Sequence, residues 1–252
     1  MRKLSMALLA GVALVGCGVE QSENEEIISN LVEAGFPAND IMVVDNAVYV
    51  GRDAHVTLEA SREMIQPGKE SAEQYRTTNL MSGITKICVV PTSQFNSYSR
   101  LSAGLDLAIE NYNSQGLSFT MVRGSASDCS ATISAKTTTG TGGSAGFPKG
   151  GKPYGTINIG TGLQSYSDDV NEHVITHELG HCIGFRHSDY YDRSISCGGS
   201  AANEGASNVG AIHIPGTPTT ASRGGSIMNS CFSSSETGEW TSSDRTALAY
   251  LY

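Results

Sequence analysis

Residues 177–187 read His-Glu-Leu-Gly-His-Cys-Ile-Gly-Phe-Arg-His, and the types and spacing in this run suit metal chemistry. On a helix, residues four apart lie one turn apart on the same face, with roughly 5–6 Å between Cβ atoms. The imidazoles of His177 and His181 can therefore converge on one ion. Gly184 can end the helix with positive φ and double the chain back, so that His187 supplies a third imidazole. Three neutral imidazoles leave a fourth position open, the arrangement of a catalytic rather than a structural zinc ion. Glu178, beside the first of them, is set to reach a water and not the metal, as a general base. The expected cofactor is one catalytic Zn2+.

Two further histidines need separate readings. His173 stands one turn before His177 and two turns, about 11–12 Å along the axis, from His181. One tetrahedral ion cannot hold both together with His177, so a solvated or capping role is expected for His173. His213 lies alone in an irregular stretch and competes poorly with His187 as a ligand, although it could line a cleft.

These side chains need elements to hold them. Asp168–Gly184 is read as a helix, capped by Asp169 with Glu172 three residues on. Ser99–Tyr112 has helical spacing of Leu101, Leu105, Ala108, Ile109 and Tyr112, with Gly116 just beyond. Lys86–Val90, Leu117–Val122 and Tyr154–Ile159 are strand candidates. Residues 136–153 are rich in Gly, Thr and Ser and read as a loop. Residues 194–225 are irregular, and Thr241–Tyr252 reads as a terminal helix. Ahead of all this, residues 17–79 form a leading segment: a polar, acidic tether near Glu20–Glu26, a helix over Ile27–Ala34, and a strand pair about Asp45-Asn46. A further strand and turn occupy 55–65. This segment is read as having a poor core of its own and as a probable pro-segment, with the main domain at 80–252.

Composition narrows the setting. The chain has 252 residues, 39% hydrophobic and 16% charged, with net charge −9. That balance argues against nucleic acid as a partner, because phosphate binding needs a basic face. Arg2-Lys3 and the short apolar run Leu4–Val15 read as a signal peptide over residues 1–16. It ends Leu14-Val15-Gly16-Cys17, which resembles a bacterial lipobox. On that reading the protein is exported, secreted or lipid-anchored through Cys17, and otherwise has no membrane contact; an ordinary signal peptide is the alternative. Five cysteines remain after Cys17. Five is odd, so at most two disulfides can form. Cys88 with Cys129 is the favoured pair, and one pair is expected among Cys182, Cys197 and Cys231.

The motif carried by His177, Glu178, His181, Gly184 and His187 resembles that of the metzincin metallopeptidases. Ser226-Ile227-Met228-Asn229 resembles the tight turn that places a methionine, here Met228, beneath the metal in that group. With Ile214-Pro-Gly-Thr-Pro218, the motif looks most like the bacterial dual-action HEIGH metallopeptidases, over residues 80–252. The resemblance implies an α+β zincin fold: a twisted mixed sheet, an active-site helix and a small irregular C-terminal subdomain. It implies a monomeric endopeptidase acting on proteins or peptides. Tyr154–Ile159 resembles the edge strand above a metzincin cleft, where a peptide could add by main-chain bonds; an internal strand is the alternative. Astacin-like members have a tyrosine ligand two residues after the methionine; here that residue is Ser230, and no such ligand is assigned. Val50-Gly51-Arg52-Asp53 loosely resembles a pro-segment motif whose aspartate blocks the zinc, which would make Asp53 a latency switch. An ordinary turn aspartate is the competing reading. Two other functions stay open: a lipid-anchored binding protein on a protease scaffold, and a zinc amidase acting on cell-wall peptides.

Overall fold

The computed structural model describes residues 17–65, 75–205 and 211–252. The expected signal peptide lies outside the described residues, and the side chain of Cys17 is not among those described. No helix among the described residues is long and apolar enough to cross a membrane.

The leading segment is more ordered than its sequence suggests. The acidic stretch is not a loose tether but part of helix α1 (Cys17–Glu33). A hairpin follows, β1 (Met42–Val44) and β2 (Ala47–Val50), turning at Asp45 and Asn46 with φ 49° and 62°. Asp and Asn tolerate that left-handed conformation, as the tight hairpin turn demands. Next come β3 (Ala54–Val56) and, where a strand and turn were expected, helix α2 (Leu58–Met64) with Thr57 as its N-cap. The segment also has a core of its own. Leu31, Phe36, Val48, Val56 and Met64 pack together, joined by Phe147 from the main body.

The main body opens with β4 (Tyr75–Arg76) and β5 (Lys86–Pro91), then α3 (Ser93–Ser97), α4 (Ser99–Asn113) and β6 (Thr120–Arg123). Strands β7 (Ala131–Thr138), β8 (Gly143–Gly146) and β9 (Thr156–Gly160) lead into α5 (Asp168–Ile183). The short α6 (Ser194–Cys197), β10 (Ile212–His213) and terminal helix α7 (Ser242–Leu251) complete it. Eight strands form one mixed sheet in the order β1-β2-β3-β8-β9-β7-β5-β6. The class is α+β, as expected. Helices α4 and α5 pack closely together: a Cβ at Gly104 would lie 2.7 Å from the Asn171 Cβ. The main core, with Leu101, Leu105, Ile133, Ile157, Ile175 and Leu179, lies with the sheet and these two helices.

Two expectations about strands are corrected. The loop read at 136–153 contains the end of β7 and all of β8. And β9 is internal, flanked by β8 and β7, so Tyr154–Ile159 is not an edge; the outermost main-body strand on that side is β8. The outer side of β8 is in turn occupied: β3 of the leading segment pairs with it in parallel, Ala54 opposite Ala145 and His55 opposite Gly146. Strand β8 reads Gly-Ser-Ala-Gly because neighbours crowd it. A side chain at Gly146 would lie 2.6 Å from the His55 carbonyl and 2.8 Å from the Tyr154 ring.

Both expected disulfides are present, Cys88–Cys129 and Cys197–Cys231, and Cys182 is a free, buried thiol.

Candidate metal centre

Helix α5 carries the first two imidazoles. Its cap is Ser167, whose side chain accepts the Val170 N–H at 3.2 Å, and not Asp169. The helix begins two residues earlier than a cap at 169 allows. Glu172 turns away, its carboxyl packed against Gly238 instead of reaching back to the terminus. Every residue from Val170 to Ile183 is buried, so the helix runs through the interior and its ligand face is enclosed. Gly184 ends it at φ 114°, a conformation that L side chains rarely adopt. The reversal returns His187 to the same point.

The three Nε2 atoms converge. His187 Nε2 is 3.2 Å from that of His177 and 3.3 Å from that of His181. Each opposite ring nitrogen donates to a fixed acceptor. His177 Nδ1 donates to the Ile227 carbonyl at 2.8 Å, and His181 Nδ1 to the Phe185 carbonyl at 2.8 Å. His187 Nδ1 donates to the Glu204 carboxylate at 2.8 and 3.0 Å. These bonds leave all three Nε2 lone pairs facing one another. Tetrahedral ligands at the usual zinc–nitrogen length stand about 3.3 Å apart, so the donor set fits a zinc ion.

Asp53 completes the cluster. Its Oδ2 is 3.1 Å from His187 Nε2 and 3.9 Å from His177 Nε2, and Oδ1 is 3.7 Å from His181 Nε2. The turn before it aims it there. Gly51 and Arg52 both have positive φ, 60° and 76°. The Gly51 N–H donates to Asp40 at 2.9 Å, and its carbonyl accepts from Arg193 at 2.5 Å. Burial alone would raise the Asp53 carboxyl, but its contacts with His187, His177 and His181 hold it well below the ordinary range.

Glu178 lines the cleft beside the cluster, with Oε2 buried and without a hydrogen-bond partner. Burial, reinforced by the Asp53 carboxylate, raises its carboxyl well above the ordinary value. Gly143 of β8 makes room for it, since a Cβ there would lie 2.6 Å from Glu178 Cγ. Met228 lies against the other side of the helix: its sulfur would be 2.6 Å from a Cβ at Gly180. Its turn is fastened by Asp244, which accepts from Ser226 Oγ at 2.5 Å and the Ile227 N–H at 2.9 Å.

His173 is not solvated. It is 4% exposed, neither ring nitrogen has a hydrogen-bond partner, and burial, with His177 nearby, lowers its pKa to about 3. It lines the cleft, outside the metal cluster. His213 is buried in β10, 3.2 Å from Thr217 Oγ1, and lies apart from that cleft. Ser230 does not face the imidazole nitrogens as a ligand; its hydroxyl donates to Asp189 at 2.8 Å and stands 3.1 Å from Glu204.

Glu204 is the residue that reading the sequence missed. It is 1% exposed and gathers His187, Arg193 at 2.5 Å and Ser230, with Arg186 at 3.8 Å. Burial would raise its carboxyl, but His187 and the two arginines lower it to about 2. It sits in the stretch without periodicity, where no spacing signal exists.

Two solved structures of myroilysin are similar to the chain. One has TM-score 0.43 and 17% identity, covering 69% of this chain and 96% of that one. The other has TM-score 0.41 and 16% identity, covering 76% and 95%. High choriolytic enzyme 1 (HCE-1), a hatching-enzyme zinc protease of the medaka Oryzias latipes, has TM-score 0.36 and 16% identity, covering 60% and 71%. A search of curated proteins gives no match. The family model of the dual-action HEIGH metallo-peptidases matches residues 48–252, and the chain belongs to that family.

Proposed function

We propose that this metallopeptidase is an exported, zinc-dependent endopeptidase of proteins or peptides, kept latent by residues 17–79 until they are displaced. The observation that carries the reading is the triangle of Nε2 atoms, each imidazole fixed through its other nitrogen, with a carboxylate from the leading segment against it. The two disulfides fit an oxidising compartment.

Zinc bound by His177, His181 and His187 supplies Lewis acidity toward the scissile carbonyl and the attacking water. The protein's own part is proton handling and alignment. Glu178 accepts a proton from the water and passes it to the leaving amine. Its buried Oε2 has no hydrogen-bond partner among the described residues and is free to do so. Strand β8 offers main-chain groups to an extended substrate once β3 has left it. Asp53 occupies the position a substrate needs, so latency and catalysis exclude each other.

The test uses the full chain loaded with zinc and denatured casein or gelatin as substrate. Asp53→Ala should cleave before any processing, chelator should stop it, and Asp53→Ala with Glu178→Ala should be inert. Unchanged latency in Asp53→Ala removes the switch. A folded, zinc-loaded Asp53→Ala chain that stays inactive even after the leading segment is cut would favour a binding role.

A further inference from the structure

The imidazoles owe two of their outer acceptors to one stretch of chain. Glu204, which accepts from His187 Nδ1, and the Ile227 carbonyl, which accepts from His177 Nδ1, both lie between Cys197 and Cys231, as does Met228. The described residues of that stretch carry only the short strand β10, so little regular backbone bonding holds it. The Cys197–Cys231 disulfide closes it into a loop. At the near end is α6, a single turn, too short to persist on its own hydrogen bonds. Arg193 precedes that turn and donates to Glu204 at 2.5 Å. Within the turn, the Ser196 hydroxyl donates to Asp189 at 2.5 Å and accepts the Cys231 N–H at 3.1 Å. Asp189, just beyond His187, also accepts the Ser230 N–H at 2.9 Å. The disulfide therefore braces the groups that orient His177 and His187. It is also within reach of solvent. Cys197 is exposed and Cys231 half-buried, whereas Cys88 of the other bridge is 1% exposed. Arg193 Nη2 stands 4.0 Å from Cys197 Sγ, where its charge stabilises a departing Cys197 thiolate, and the better-stabilised thiolate leaves faster.

We propose that Cys197–Cys231 is a thiol-exchange site that gates the metal centre: a small thiol opens the bridge, the supports of His177 and His187 slacken, and zinc is held weakly until the bridge re-forms. A thiolate RS− attacks one sulfur, forming an RS–S bond and expelling the other cysteine as thiolate. A second RS− attacks the R-side sulfur of that mixed disulfide, which forms RSSR and expels the remaining cysteine. The protons of both thiols end on the cysteines, and their electron pair reduces the bridge. The chain then holds zinc poorly in a thiol-rich compartment and tightly in an oxidising one. The coupling is reciprocal, so zinc stabilises the closed bridge by the factor by which the bridge strengthens zinc binding. The inference rests on the metal site of the reading above, as a regulation of it.

The experiment equilibrates the full chain, with and without saturating zinc, in glutathione buffers of set thiol-to-disulfide ratio. Alkylation stops the exchange, and each cysteine is mapped by mass spectrometry. Cys197 and Cys231 should open at a thiol excess that leaves Cys88 and Cys129 closed. Zinc should lower the open-to-closed ratio of Cys197–Cys231 at least about tenfold, the lower end of what outer partners of ligating histidines contribute. Cys197→Ser with Cys231→Ser should raise the zinc dissociation constant by the same factor of about ten or more in chelator competition, while Cys88→Ser with Cys129→Ser should leave it within about twofold. A thermal melt shows whether the serine pairs fold; if they do not, the zinc dependence of the wild-type equilibrium decides alone. Earlier opening of Cys88–Cys129, a Cys197–Cys231 ratio that zinc leaves unchanged, or an unaltered zinc affinity in the folded Cys197→Ser, Cys231→Ser chain overturns the proposal. None of these readouts is cleavage, so a chain that meets them and cuts no protein refutes the peptidase reading alone.

Discussion

Replacing Glu204 by glutamine tests the link between a buried carboxylate and the metal centre. Glu204 Oε1 accepts from both His187 Nδ1 at 2.8 Å and Arg193 at 2.5 Å, and Oε2 stands 3.0 Å from the same imidazole. Glutamine keeps the volume. It can leave an oxygen at the shared Oε1 position, but it turns the Oε2 end from acceptor to donor and removes the charge. A hydrogen bond to a charged group contributes about 1.5–3 kcal/mol against about 1 for a neutral pair. The loss of roughly 1–2 kcal/mol should fall on the orientation and basicity of His187. That energy corresponds to about 5–30-fold, which overlaps the about 10–100-fold by which outer partners of ligating histidines typically change metal affinity. The zinc dissociation constant of Glu204→Gln should therefore rise about 10- to 30-fold, read by competition with a chromophoric chelator near neutral pH. Asp53→Ala and the double variant should be measured alongside, because Asp53 also faces His187. Arg193 and Arg186 share this carboxylate, so a thermal melt must show that the variant folds. A folded Glu204→Gln with unchanged zinc affinity would refute the reasoning.

Other outcomes follow from the same contacts. Gly143→Ala puts a methyl 2.6 Å from Glu178 Cγ, so the carboxylate must move. The expected result is kcat lower by about a hundredfold with zinc content unchanged, given the usual size of general-base contributions; wild-type kcat would mean that Glu178 is not the base. Glu172 is held at about 7 by burial and then by the carboxylates of Glu239, Asp169 and Glu110. Its folded pKa is raised, so the native state keeps a proton that the unfolded chain loses, and stability falls as pH rises from about 4.5 through 7. Glu172→Gln should remove that slope and gain on the order of 1 kcal/mol above pH 7 in denaturant melts across the range. A slope that persists in the variant would assign the effect elsewhere.

Several features were legible in the sequence because they are local. The His177, His181 and His187 spacing is set by helical geometry and by a glycine whose φ is positive, and no distant contact is needed to read it. Helix α4, the terminal helix and the hairpin turn at Asp45-Asn46 were equally local, resting on apolar periodicity or on residues that tolerate positive φ. What tertiary structure decided was every feature whose cause lies far along the chain. Strand β8 could not be read, because crowding by Glu178, His55 and Tyr154 replaces its β-branched residues with glycine. For the same reason the edge was assigned to β9, one strand too far inward. The burial of α5 on all sides erased its amphipathic signature, so sequence gave His173 a solvent role that the fold denies. Glu204 comes from a stretch without periodicity, and only folding brings its carboxylate to His187. Asp53 is more than a hundred residues from the histidines, and its place against them depends on β3 pairing with β8. A spacing rule carries the donors within one helix and its turn, whereas the groups that hold, shield or block them are chosen by packing.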